Sequence, residues 1–118
     1  MQGRKRRLED RALVSLVKDG DADAFAELYD RHVEGAYSLA FRMMSQRLAA
    51  EDLLQEVFLS VWLAAESYRA ERGTVRTWIL SMVRNRGVDQ IRYREALHIS
   101  DHFSSCGPLR GYSVDYMR

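Results

Sequence analysis

Between Arg69 and Arg94 the sequence sets seven arginines against two acids, Glu71 and Asp89, for a net charge of +5. Guanidinium groups at that density bind phosphates without regard to base sequence, through counterion release that weakens as salt rises. Aromatic rings are interleaved with them: Tyr68 beside Arg69, Trp78 near Arg76, and Tyr93 between Arg92 and Arg94. Rings that stack bases, next to cations that meet the backbone, are the parts of a single-strand site. Asn85 lies in the same stretch, and its amide carries the paired donor and acceptor that a base edge requires. Upstream the charge reverses. From Asp19 to Glu56 there are nine acidic and three basic residues, a net of −6. Asp52, Gln55 and Glu56 fall at i, i+3 and i+4, so on a helix they share one edge. An acidic and amide edge of that kind suits a basic protein partner. The separation suggests two surfaces for two partners; the plainer alternative is a pair of solvated helix faces.

Other chemistry is sparse. No Gly-rich phosphate loop, nucleophile elbow or clustered carboxylate pair occurs, so no enzymatic activity and no cofactor are expected. His98, His102 and Cys106 are spaced four apart and are zinc ligands by type. Gly107 and Pro108 next to the cysteine, and the want of a fourth ligand, argue against a metal site. His32 falls on an apolar face and reads as a core histidine. Trp78 falls in an inward stripe with Val75 and Ile79, which favours core packing over DNA contact.

These groups must be positioned by helices. Apolar residues are 47% and charged residues 30% of 118, ordinary for a globular chain, and the single proline is Pro108. No apolar run approaches the roughly 20 residues of a membrane span. One cysteine excludes an internal disulfide framework and fits a reducing cytoplasm. Leu8 to Val17 has the spacing of a short amphipathic helix, closed by Gly20, with Asp21 or Asp23 capping the next. The second helix should run from about Ala22 to Met44 with Phe25, Leu28, Tyr29, His32, Ala36, Leu39, Ala40 and Met43 inward. The third should run from about Ala49 to Glu66, with Leu53, Leu54, Val57, Phe58, Val61, Trp62 and Ala65 buried. The fourth, capped by Thr74, should run from about Val75 to Glu95. Gly87 lies inside it, which costs about 1 kcal/mol relative to alanine and marks a bend or a close approach. The expected fold is all-α, a compact bundle of about four helices over residues 1–97, with 98–118 a flexible, poorly structured tail.

The stretch AEDLLQEVFLSVW, then a short arginine-bearing loop, then TWILSMVRNRGVDQIRYR, resembles the second conserved region of extracytoplasmic-function sigma factors. Upstream, DGDADAFAELYDRHVEGAYSLAFRMM resembles the start of the same region, so the likeness covers about Leu13 to Arg94. It implies docking on the clamp helices of the largest subunit of RNA polymerase core through Asp52, Gln55 and Glu56, with Leu59 as an apolar contact. It implies capture of the melted non-template strand of the minus-ten promoter element by the loop and the helix after it. The matching DNA-binding positions are Tyr68, Arg69, Arg72, Thr74, Arg76, Arg84, Asn85, Arg86, Arg92, Tyr93 and Arg94, with Asn85 reading a base edge. Members of the family are often held inactive by anti-sigma proteins, so such a partner is an expectation. Complete members also carry a helix-turn-helix domain for the minus-thirty-five element, and nothing up to Arg118 resembles it. The alternative function is a sigma-derived interaction module that binds polymerase or an anti-sigma factor without productive DNA binding.

Overall fold

The computed structural model describes residues 5–103, with side chains as far as Leu97. Helix α1 spans Asp10–Lys18, α2 Ala22–Met44, α3 Arg47–Leu63 and α4 Val75–Phe103. Two short 3-10 turns, Ala65–Ser67 and Ala70–Arg72, lie between α3 and α4. No strand occurs among the described residues, and the all-α bundle of four helices matches the expected class.

The helix ends follow from local chemistry. At the end of α1, Gly20 takes φ +89°, its N–H bonds the Val17 carbonyl at 2.9 Å, and the Asp21 N–H bonds Leu16 at 3.0 Å. That reversal satisfies the last carbonyls of α1 and is open to glycine at no steric cost. Asp21 then caps α2, its Oδ1 accepting from the Ala24 N–H at 3.1 Å. The Lys5 ammonium, 3.0 Å away, and the Ala24 N–H hold the Asp21 carboxyl below its ordinary 3.8. Helix α2 stops at Ser45, which sits in the left-handed region at φ 63°.

Helix α2 is the central element and packs on the other three. Its small residues Ala24, Ala36 and Ala40 are fully enclosed, which lets the neighbours approach closely. Around them lie Leu13, Leu28, Leu53, Val57, Val61, Val75, Ile79 and Val83, all essentially without solvent contact. Each such side chain contributes about 1.5–3 kcal/mol of apolar burial. Gly87 marks a close approach rather than a bend. A Cβ built there would lie 2.6 Å from Met43 Cε, 2.9 Å from Met43 Sδ and 3.4 Å from Leu53 Cδ2.

Several expectations need correction. Helix α1 begins at Asp10 rather than Leu8, and α3 begins at Arg47 and ends at Leu63, its expected last turn tightening into the Ala65–Ser67 3-10 turn. Helix α4 runs past Glu95 to Phe103, into the segment expected to be tail. Residues 96–103 hold neither glycine nor proline, and a helix already nucleated adds turns without needing an apolar stripe. Residues 104–118 lie outside the described residues, and with them Cys106; the side chains of His98 and His102 lie outside them too. Tyr29 and Trp62, expected inward, are 40% and 36% exposed. Trp62 stands edge-on to Phe25, ring centres 5.4 Å apart, while Tyr29 meets Phe58 at 4.9 Å.

His32 is buried as expected, with Nε2 2.9 Å from Asp10 Oδ2, but its buried Nδ1 has no partner among the described residues. Arg31 beside it bonds Glu27 Oε2 at 2.8 Å, Asp10 Oδ1 at 2.9 Å and the carbonyls of Arg6 and Lys5 at 2.9 and 3.4 Å. Burial works against its charge, but the bonds to Glu27 and Asp10 outweigh this and raise its pKa. This group fastens α1 and the chain before it to α2.

Candidate nucleic-acid and polymerase interface

Asp52, Gln55, Glu56 and Leu59 lie along one edge of α3. Asp52, Gln55 and Leu59 are exposed, Leu59 at 57%. Glu56 is half-buried, its carboxylate 3.8 Å from the Arg86 guanidinium of α4. The apolar part of this edge is larger than the sequence suggested. Leu63, 68% exposed, and the exposed flank of Trp62 continue it by one turn.

From Ala64 to Thr74 the chain crosses to α4, and the crossing is folded by its own side chains. The Tyr68 hydroxyl donates to the Gly73 carbonyl at 2.7 Å, and its ring lies against Trp78 at 5.3 Å. Arg69 Nη1 donates to the carbonyls of Glu66 and Tyr68 at 2.9 and 3.2 Å. Gly73 adopts φ +139°, which an L side chain rarely takes. Thr74 caps α4 as expected, its Oγ1 accepting the Thr77 N–H at 3.1 Å. These contacts leave Arg69 and Arg72 exposed on a shaped turn rather than a loose loop. Trp78 is half-buried on the core and also forms part of the surface.

On α4 the arginines divide by direction. Arg76 is exposed and its guanidinium rests over Gly35 of α2, where an added Cβ would come within 2.6 Å of Nη2. Arg94 lies whole turns beyond Arg76 and so on the same side. Arg84, Asn85 and Arg92 are exposed, and Tyr93 is half-buried. Arg86 differs from the rest: its Nη2 donates to Ser60 Oγ at 2.7 Å, so its guanidinium ties α4 to α3.

Two cavities line up along α4. One of about 310 Å³ is lined by Tyr68, Arg69, Arg72, Thr74, Trp78 and Ser81, among others. The next, about 400 Å³, lies between the end of α3 and the middle of α4 and is lined by Ser60, Leu63, Ala64, Met82, Asn85, Arg86 and Asp89. The structure thus brings Tyr68, Arg69, Arg72 and Thr74 around one hollow, and Asn85 and Arg86 around the other. Arg76, Arg84, Arg92, Tyr93 and Arg94 line neither. Sequence reasoning missed Ser60, Leu63, Ala64, Met82 and Asp89. The four-residue spacings Ser60–Ala64 and Asn85–Asp89 were visible, but nothing in the sequence set one pair against the other.

The bundle thus sets an acidic, partly apolar helix edge beside a cationic turn with hollows beyond it. Residues 28–96 match Sigma-70 region 2, and the chain belongs to that family. It is 35% identical over 85 residues to the ECF RNA polymerase sigma factor SigK of Mycobacterium ulcerans (strain Agy99), covering 72% of this chain and 46% of that protein. It is 36% identical over 84 residues to the ECF RNA polymerase sigma factor SigK of Mycobacterium sp. (strain KMS), covering 71% and 44%. The chain therefore spans a little under half the length of these curated relatives. Among the described residues no helix is long and apolar enough to cross a membrane.

Proposed function

We propose that this chain acts in transcription initiation in the cytoplasm as the part of a sigma factor that docks on RNA polymerase core and holds the melted minus-ten strand. The observation that carries this reading is the row of two hollows along α4, edged by Arg69, Arg72 and Asn85 and joined to the α3 edge through Arg86. Exposed cations supply the backbone contacts, Tyr68 and Trp78 supply apolar ring surface, and Asn85 supplies a base-edge amide. The Asp52–Gln55–Leu59 edge, free of lysine and arginine, meets the basic clamp helices of the largest subunit, and Leu63 extends its apolar contact. An anti-sigma protein that covered both surfaces would silence both activities. The chemistry is binding and positioning, with no catalytic step and no cofactor.

The test uses the full chain with polymerase core and a promoter fragment carrying a preformed single-stranded minus-ten segment. Affinity is measured over a range of salt for the wild type and for Arg72→Ala and Arg84→Ala. Each arginine variant should weaken all probes alike and lower the salt slope by about one phosphate. If core binding persists but no probe binds in a salt-sensitive way, the chain is a sigma-derived interaction module instead.

A further inference from the structure

A turn with anchors of its own precedes α1, outside the residues 28–96 that match Sigma-70 region 2. The Leu8 N–H closes it on the Lys5 carbonyl at 3.0 Å, and the Leu8 side chain packs on the core. The Lys5 ammonium lies 3.0 Å from the Asp21 carboxylate. Arg31 donates to the carbonyls of Lys5 and Arg6 at 3.4 and 2.9 Å. The side chains left over are those of Arg6 and Arg7. Both are exposed, and neither makes a hydrogen bond or ion pair among the described residues. Two guanidinium groups facing water contribute little to stability. Their backbone is nevertheless held in place from three directions, so they meet a partner with part of their ordering already done.

Arg31, which holds this turn, also lines a third hollow. Its volume is about 640 Å³, and it lies between the start of α1 and the crossing from α3 to α4. Tyr68, Gly73 and Thr74 line both this hollow and the one of about 310 Å³. The arginine-bearing crossing is therefore bordered by one hollow towards α4 and by another towards α1. Two acids, Glu9 and Asp10, line the third hollow and act against an anion there. Asp10 is engaged within the fold, one oxygen 2.9 Å from Arg31 and the other 2.9 Å from His32. Glu9 lies 3.8 Å from the Arg11 guanidinium. From Lys5 to Arg11 the net charge is +2, and the cations with no counterpart are Arg6 and Arg7. A strand seated on the crossing must leave it, and on the α1 side it runs towards these two cations.

We propose that the turn before α1 is a second nucleic-acid-binding element, in which Arg6 and Arg7 hold two phosphates of single-stranded DNA that continues past the crossing along the hollow edged by Arg31 and Thr74. The inference rests on the reading of the crossing as a single-strand site. It adds a contact that carries affinity and no base preference, because guanidinium groups on phosphates do not read sequence.

The test uses the full chain with polymerase core and three promoter probes. One has only its minus-ten segment single-stranded, and the others extend the single strand by several nucleotides on one side or the other. Wild type should bind one extended probe more tightly than the short one. That advantage should shrink about sevenfold between about 50 and about 200 mM salt, as two single-strand phosphates require. Arg6→Ala with Arg7→Ala should abolish the advantage and leave affinity for the short probe within about twofold. Arg6→Lys with Arg7→Lys should keep most of it, because the charge is retained. The melting temperature of both double variants should match wild type, since the bonds that hold the turn are made by other groups. Absence of an advantage for either extended probe, or its persistence in the alanine variant, overturns the role of the turn while salt-sensitive binding of the short probe leaves the strand-binding reading intact. Weaker binding of the alanine variant to polymerase core without DNA also overturns it, and makes the turn a polymerase contact. Loss of all salt-sensitive probe binding in wild type overturns both readings.

Discussion

Arg31 is only 24% exposed, and its guanidinium meets two carboxylates and two backbone carbonyls. Arg72, Arg84 and Arg92 are exposed, and their guanidinium groups meet no acceptor among the described residues. The residue type is the same and the geometry opposite. A guanidinium whose donors are taken within the fold contributes to stability and has nothing left for a partner. One whose donors face water contributes little to stability, since surface charges rarely exceed a few tenths of a kcal/mol. Its donors are available to phosphate. Arg86 stands between these cases, bonded to Ser60 yet bordering the hollow that holds Asn85.

The sharpest way to break the contrast is to remove Arg31. Arg31→Ala strips partners from Asp10, Glu27 and two carbonyls at once, and should cost about 2 kcal/mol, lowering the melting temperature by roughly 10 °C. Arg31→Lys should recover only part of this, because an ammonium cannot reproduce the planar fork. A comparable loss, about 1–3 kcal/mol, is expected for Gly87→Leu, which overfills the contact with Met43 and Leu53. Denaturant midpoints would check both. Arg72→Ala should shift stability by less than about 0.5 kcal/mol while lowering the salt slope of probe binding. A melting temperature that fell as far as for Arg31→Ala would erase the distinction. On the α3 edge, Gln55→Ala with Glu56→Lys should slow association with polymerase core and change its salt dependence, with the circular dichroism spectrum preserved. The smallest effect concerns Asp21. Its carboxyl is held below 3.8 in the fold, so its contribution is present above that value and fades as pH falls below it. Acid titration of Asp21→Asn against wild type should therefore show a difference that closes at low pH.

Much of this is legible in the sequence. Helix α2 occupies Ala22–Met44 as the spacing required, because Asp21 and Gly20 mark its start chemically as well as by pattern. The Asp52–Gln55–Glu56 edge follows from helical period alone. Thr74 capped the helix that its hydroxyl was read to cap. What periodicity does not carry is the crossing of one helix over another. The hollow between Ser60 and Asn85 exists because α3 and α4 converge there, and neither helix alone implies it. The inward turn of Arg86 was hidden for the same reason, since Ser60 lies 26 positions away. Periodicity places Trp62 inward because a large apolar residue continues the stripe, yet it packs edge-on to Phe25 and stays 36% exposed. Helix α4 outlasted its pattern because turns beyond the bundle need no buried face.

The contact between Arg76 and Gly35 has an entropic side. A free arginine on a helix samples many rotamers, and fixing them costs up to about 2 kcal/mol. Here the side chain already lies across α2, over the one position in that stretch with no Cβ. Part of the ordering that any anion would impose on Arg76 is thus completed by folding, before the anion arrives. Alanine at Gly35 would place a methyl 2.6 Å from Nη2, lift the guanidinium and return that ordering to the binding step. A residue with no side chain thereby sets the readiness of one with the longest reach.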